Sequence, residues 1–285
     1  MNAGARLVLD ADRRLADHLD GLAAQRMVFF AGLPGTGKSF LVHQLTHLAT
    51  AEGRRVHLLQ WDVARPVFEA TSAGRRYPLT DGVTHAVIRK AAGLWVRDAV
   101  VGWNERHRGP ENMLVGETPL IGNRFVELAQ YHEDPAEALL AADSCRFVVV
   151  APSVDVKRFL EAERERRAAQ PLHAREREDA PPSVLRQLWV EMADVARQLG
   201  LPGTATYDPA TYRRVYERIL RHRHVHVVTL DVRLPTETLS VYDFAVAAAD
   251  VVPSPEAAAA FIREVERRYP DPTTVERVCA RWWAV

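Results

Sequence analysis

The chain has 285 residues, 47% hydrophobic and 26% charged, a balance that excludes a disordered or fibrous chain and is enough for a sizeable core. Lys+Arg 37 match Asp+Glu 37, so the formal net charge of +0 removes any whole-molecule argument for nucleic-acid or membrane binding and leaves only local basic patches. The two cysteines, Cys145 and Cys279, form no paired motif, so neither a disulfide framework nor a zinc site is expected, and a cytoplasmic location fits.

The opening Met1-Asn2-Ala3-Gly4-Ala5-Arg6 lacks the apolar core of a signal peptide, and no apolar run reaches bilayer length. Leu7 to Gln25 reads as an amphipathic helix with Leu7, Leu15, Leu19 and Leu22 on one face. Met27–Ala31 is an apolar run of strand length. It leads into Gly32-Leu33-Pro34-Gly35-Thr36-Gly37-Lys38-Ser39, the G-x-x-x-x-G-K-S pattern of a phosphate-binding loop, and Phe40 to Leu48 continues with helical spacing. The residue types have a physical reason. Glycines let backbone N–H groups turn inward around a phosphate chain, and the helix start adds unpaired donors and a positive dipole end. Lys38 can reach the β- and γ-phosphates, and the Ser39 hydroxyl can ligate Mg²⁺.

Val56–Trp61 is the second strand, with Asp62, Arg65 and Pro66 at its C-terminal end, where ligands sit in open α/β sheets. From about Val67 to Arg108 the pattern is mostly helical, with Thr80 or Asp81 as a cap and Val83, Val87, Ala91, Leu94 and Val101 facing inward; Arg75, Arg76, Tyr77, Arg89, Arg97 and Arg106 also lie in this insert. Met113–Gly116 is a third strand ending at Glu117, and a helix from about Asn123 to Tyr131 is expected next. Arg146–Ala151 is the fourth strand, apolar enough to be covered on both faces. Pro152-Ser153 opens a helix that becomes highly charged over Glu161–Arg167. Gln170 to Pro182 has almost no core-forming residues and has the composition of a mobile lid. Helices follow over Ser183–Leu199 and from the cap Asp208 through Arg221. Val225–Leu230 is the fifth strand with Asp231 at its end, and helices about Ser254–Arg268 and Thr273–Trp283 close the chain. Strands alternating with helices imply an α/β fold with a mostly parallel five-stranded sheet covered on both faces.

Over about residues 27–231 the chain resembles the P-loop kinase group: nucleoside and nucleotide kinases, polynucleotide 5′-hydroxyl kinases, and zeta-toxin-like small-molecule kinases. The loop Gly32–Ser39 carries the resemblance; the remainder is element order and placement. The resemblance implies a three-layer sandwich with strand order 2-3-1-4-5, a single domain over 1–285 with an acceptor-binding helical insert about 63–112, and an arginine-rich lid about 161–182. It implies ATP, or GTP, with Mg²⁺, and γ-phosphoryl transfer to a hydroxyl or phosphate of a small-molecule or nucleotide-like acceptor. The form expected is a monomer or homodimer.

Within that resemblance Asp62-Val63-Ala64-Arg65 matches the Asp-x-x-Arg of several members. Asp62 is then the base that accepts the hydroxyl proton, the alternative being a cap on the next helix. Arg65 holds acceptor phosphate or transition-state charge, or is simply a solvated arginine. Glu117 is divided between metal support, acceptor contact and a structural cap. Arg124 stands at the same cleft as an acceptor contact. Arg164 and Arg167, three apart on one helix face, are the arginines expected at the phosphates, although the group's usual spacing is four; Arg175 and Arg177 extend the segment, and a salt-bridged solvated helix is the competing reading. Trp61, Trp95 and Trp103 are core residues or base-stacking surfaces, and the eleven histidines are ordinary surface or core residues.

Two other readings stand beside this one. A nucleic-acid 5′ end is an alternative acceptor, tracked by Arg75, Arg76, Tyr77 and Arg89. A P-loop ATPase or switch acting on proteins is the other. The third strand lacks the Asp-Glu pair of a motor, and no Asn-Lys-x-Asp of a GTPase lies near the fifth strand.

Overall fold

The computed structural model describes residues 11–80, 82–178, 182–236, 240–244 and 249–285. At its centre is a five-stranded, all-parallel sheet in the order β2-β3-β1-β4-β5. The strands are β1 (Met27–Ala31), β2 (Arg55–Gln60), β3 (Asn112–Thr118), β4 (Cys145–Pro152) and β5 (Val225–Leu230). The three inner strands are those read from the sequence as continuous apolar runs, and every residue of β1 is buried. The period of two then divides the core. Met27, Phe29 and Ala31 face one layer, and Val28 and Phe30 face the other.

The layer beneath Val28 and Phe30 is built by α1 (Arg13–Ala23) and α2 (Lys38–Ala51) through Leu15, Leu19, Leu41 and Leu45. The helix foreseen from Leu7 starts, among the described residues, at Arg13, where Asp12 accepts the Leu15 N–H at 3.1 Å; residues 7–10 of that reading lie outside the described residues. The opposite layer is larger. It contains α3 (Trp61–Ala70), α4 (Ala86–Arg106), α7 (Pro182–Gln198), α8 (Pro209–Ile219), α9 (Pro255–Arg268) and α10 (Pro272–Ala280). Between these lie the short α5 (Pro135–Leu140), which the sequence reading missed, and the charged α6 (Val154–Ala169), capped by Ser153 as its sequence suggests.

Helix α4 begins at Ala86, later than Thr80, because the chain first makes a tight turn. Thr80 and Val83 exchange backbone hydrogen bonds of 3.1 and 2.9 Å, and the ring of His85 then caps the helix; Asp81 lies outside the described residues. The helix expected over Asn123–Tyr131 does not form. Leu120, Gly122, Asn123 and Phe125 have φ of 63°, 63°, 60° and 63°, left-handed backbone that cannot continue a right-handed helix, and only a short turn at Val126–Leu128 follows. Phe125 is buried against Trp61 and Trp95, with ring centroids 5.1 and 6.2 Å away. Trp61, Trp95 and Trp103 are all core residues.

The closing helices are part of this body. Trp282 is 1% exposed and donates its indole N–H to Glu191 of α7 at 2.9 Å. The outer edge of β2 is partly covered: Val251 donates to the Leu58 carbonyl at 3.2 Å, and Asp250 accepts the Leu58 N–H at 3.0 Å. No described helix is long and apolar enough to cross a membrane.

Candidate functional site

The C-terminal end of β1 delivers the chain into Gly32–Ser39. Gly32, Gly35 and Gly37 have φ of 144°, 71° and 90°, values that side-chain-bearing residues rarely adopt. Gly37 is the last residue before α2, so the loop runs directly into the amino end of a helix. Inside the loop the Thr36 hydroxyl donates to the Leu33 carbonyl at 2.9 Å, and the Lys38 ammonium donates to the same oxygen at 2.8 Å. Lys38 is 4% exposed, so its charge is folded back over the loop rather than into solvent.

Parallel pairing brings Glu117 to this loop. In register, Phe30 of β1 lies opposite Glu117 of β3, and Glu117 lies opposite Gln60 of β2. The Ser39 hydroxyl donates to Glu117 Oε1 at 3.0 Å, and Lys38 Nζ lies 3.9 Å from the same atom. Burial pushes the Glu117 carboxyl above the usual carboxylate range, Asp62 pushes it further, and Lys38 and Ser39 oppose them. Burial likewise lowers the Lys38 ammonium, against the pull of Glu117 and Asp62. The donor set fits a hard divalent cation: Mg²⁺ takes one or two protein oxygens and completes its shell with water and phosphate oxygens, and Ser39 and Glu117 supply a hydroxyl and a carboxylate 3.0 Å apart.

Asp62 lies in the first turn of α3, immediately beyond β2, and is exposed. Its charge is felt by Lys38, Glu117 and Arg124, which puts it in one electrostatic field with the loop. It is not the cap of α3, which is Gln60. Arg65, one turn later, contacts Glu69 at 3.3 Å. Arg124 stands in the left-handed loop after β3, its guanidinium donating to the Ile121 carbonyl at 3.2 Å.

The two expected lid arginines separate. A Cβ placed on Gly35 would lie 3.7 Å from Arg164 Nη1, so Arg164 reaches over the loop, and its charge lowers Lys38. Arg167 turns elsewhere: it donates to the Thr236 carbonyl at 2.6 Å and to Glu176 at 3.1 Å. Glu176, 4% exposed, also accepts from Ser240 and from the amides of Leu172 and His173. The segment read as a lid is thus tied down at a buried carboxylate; residues 179–181 and the side chain of Arg175 lie outside the described structure.

Several side chains around the loop escaped the sequence reading. Lys157 lies seven residues before Arg164, just short of two helical turns, so the face of α6 turned to the loop is Lys157–Arg164 rather than Arg164–Arg167. That spacing was legible. Leu185 of α7 packs over Gly35, 3.1 Å from a would-be Cβ, and the hydroxyl of Tyr212 of α8 accepts the Leu33 N–H at 3.2 Å. Tyr216 donates to the Pro119 carbonyl at 3.0 Å and Tyr207 to that of Pro152 at 2.9 Å. One short helix and its entry therefore bond the chain just beyond β1 and β3 and the last residue of β4. Nothing local in the sequence announces these long-range contacts. Burial raises the Tyr212 and Tyr216 hydroxyls above their ordinary range, keeping both as neutral hydrogen-bonding groups. Arg89 of α4, read from the sequence as one basic residue of the insert, donates to the Gly122 carbonyl at 2.7 Å.

Compared with known proteins, the chain matches no family model, no curated protein and no solved structure.

Proposed function

We propose that this chain is an ATP-dependent phosphotransferase of the P-loop kinase kind, moving a γ-phosphoryl group to a hydroxyl or phosphate of a small acceptor. The observation that carries the reading is the contact of Ser39 with Glu117 at 3.0 Å beside a buried lysine, at the mouth of a glycine loop on the central strand of a β2-β3-β1-β4-β5 sheet. A chance glycine turn does not bring a hydroxyl, an ammonium and a carboxylate together at a helix start.

On this reading the loop amides and the amino end of α2 take the phosphate chain, and Lys38 exchanges the Leu33 carbonyl for phosphate oxygens. Ser39 and Glu117 would hold Mg²⁺, which supplies charge neutralisation at the phosphates. Asp62 orients the acceptor hydroxyl and takes its proton, and Arg164 neutralises charge on the transferring group from above Gly35. Positioning and electrostatics do most of the work, as phosphoryl transfer requires.

The test is ADP release from ATP and Mg²⁺ by the purified chain across a panel of hydroxyl metabolites and 5′-hydroxyl oligonucleotides. Acceptor-dependent release is expected, with Asp62→Asn losing transfer and keeping ATP affinity. ADP release indifferent to any acceptor would favour an ATPase, and release only with oligonucleotides would favour an end kinase. Absence of ATP and GTP affinity, or unaltered activity in Lys38→Ala, would overturn the assignment.

A further inference from the structure

Beyond the ends of β2 and β3 the fold gathers three guanidinium groups from separate parts of the chain: Arg65 of α3, Arg89 of α4 and Arg124 of the loop after β3. A Cβ placed on Gly122 would lie 3.1 Å from Nη1 of Arg124 and 3.8 Å from Nη1 of Arg89, so two cationic heads meet over one backbone atom. Burial lowers the Arg124 guanidinium below its ordinary value, and Arg89 and Arg65 lower it further, against the pull of Glu191 and Asp62.

Their neighbours neutralise them only in part. Among the described residues Arg124 makes no ion pair, and its hydrogen bond goes to the Ile121 carbonyl. Arg89 gives Nη1 to the Gly122 carbonyl and pairs loosely with Glu276 at 3.6 Å, and Arg65 is hydrogen-bonded to Glu69 at 3.3 Å, so among the described residues Arg124 alone of the three lacks an ion pair. The Nε atoms of Arg65 and Arg89 are buried and have no hydrogen-bond partner among the described residues. Two other buried arginines are bonded more fully: Arg97 holds Asp134 with two bonds of 2.6 Å, and Arg223 is bonded to Glu137 and to the carbonyls of Leu128, Gln130 and His222. The Arg65–Arg89–Arg124 group keeps donors in reserve: the Nε–H of Arg65, the Nε–H of Arg89 and the guanidinium of Arg124, which has no ion pair among the described residues. Such donors suit a carboxylate or phosphate.

We infer that Arg65, Arg89 and Arg124 form an oxyanion subsite, so that the acceptor is a hydroxyl compound bearing a phosphate or carboxylate group. The inference rests on the phosphotransferase reading, because the subsite serves an acceptor only if phosphoryl transfer occurs at the neighbouring loop. Asp62 is the carboxylate assigned to take the acceptor's hydroxyl proton, and its charge reaches Arg124. The acceptor then spans from its anionic end at the arginines to its hydroxyl at Asp62. An arginine group of this kind also excludes neutral isosteres, since they leave the buried donors unpaired.

Calorimetry on the full chain tests this, with a non-hydrolysable ATP analogue and Mg²⁺ saturating the loop so that it cannot take up the probe. The probes are glycerol phosphate, glycerate and glycerol, which share hydroxyls and differ in the anion. Binding of glycerol phosphate or glycerate but not of glycerol is expected, and the tighter of the two identifies the oxyanion. Arg124→Met and the milder Arg65→Gln, each first shown to melt cooperatively, should weaken anion binding about tenfold or more, as loss of a charge-assisted bond does. Glycerol binding as well as the anions, no anion binding, or anion binding unchanged in both variants overturns the subsite. The ATP analogue's own affinity is read in the same titration: if it fails to bind, the nucleotide reading falls, whereas a bound analogue without anion binding removes only the subsite.

Discussion

The hydroxyl of Tyr212 accepts the N–H of Leu33 at 3.2 Å and stands where a side chain on Gly32 would begin, 2.3 Å from an ideal Cβ. The helix that carries Tyr212 lies far along the chain, yet it sets the first peptide of the phosphate-binding loop. Gly32 is therefore glycine for two reasons: a φ of 144° and the approach of this phenol.

A double-mutant cycle measures that relationship. Tyr212→Phe leaves a buried N–H unpaired and should lower stability by about 1–3 kcal/mol. Gly32→Ala should cost more, since it adds both the clash and the strained backbone. Because the phenylalanine also removes the atom in the way, the double variant should be less destabilised than the two single costs summed. Additive urea-denaturation energies would show that the two residues do not act on each other.

Glu117 gives a pH prediction. Its carboxyl is raised above the usual range by burial and by Asp62, so on acidification it takes up a proton at a higher pH than an ordinary glutamate does. The protonated form is a poor ligand for a cation. Mg²⁺-dependent ATP affinity should therefore fall as pH is lowered, beginning above the ordinary glutamate value of about 4.3. For folding the sign is reversed: the raised value favours the native state at low pH, and that contribution is lost as pH rises through it. Fluorescence titrations of a labelled ATP analogue against pH, compared with Glu117→Gln, read the first effect. A slope that is the same in the variant would remove Glu117 as its origin.

The sheet was legible because its strands are short apolar runs followed by helical patterns, and because β1 and β4 have the nearly continuous hydrophobicity of doubly covered strands. The loop was legible because its glycines answer a local backbone demand. What failed was decided at a distance. Asn123–Tyr131 has helical spacing, but Phe125 is drawn into the Trp61–Trp95 cluster and the backbone turns left-handed to allow it. The charge-rich segment around Glu176 read as loose because it lacks apolar residues; it is held instead by hydrogen bonds to one buried carboxylate. Arg89 was legible only as one basic residue among several, since its meeting with Arg124 depends on the fold of Gly122.

A second network holds the loop from Val126 to Asp134 in place. Arg97, 3% exposed, joins Asp134 and Glu137 and also donates to the Glu127 and Gln130 carbonyls. Its hydrogen bonds to Asp134 hold that carboxyl below the usual range, despite some desolvation. A depressed value contributes stability above the unfolded pKa, and the contribution disappears as pH falls through the folded one. Arg97→Met should destabilise by about 3 kcal/mol, the low end for a broken buried pair because Asp134 keeps some solvent contact. It should also flatten the acid limb of the stability profile. Urea midpoints at neutral and acidic pH provide the comparison, and an unchanged acid limb would put that dependence on other carboxylates.

Arg164 and Arg167 share a helix but face different tasks, and the contrast is the sharpest test of the site. Arg164 lies over Gly35 and acts on Lys38, so Arg164→Ala should reduce the transfer rate by about 10²–10³-fold, the range for removal of one preorganised charge stabiliser, while ATP affinity changes less. Arg167 serves Glu176 and the Thr236 carbonyl. Its loss leaves a buried carboxylate with fewer donors, so Arg167→Ala should loosen the 170–178 segment and expose it to limited proteolysis. Its effect on the chemical step should be far smaller than that of Arg164→Ala. Single-turnover rates separate chemistry from binding in both variants, and proteolysis reads the segment. If Arg167→Ala slowed the chemical step as much as Arg164→Ala and left proteolysis unchanged, the two residues would have to exchange roles. The face of α6 carrying Lys157 and Arg164 would then no longer be the face that meets the phosphates.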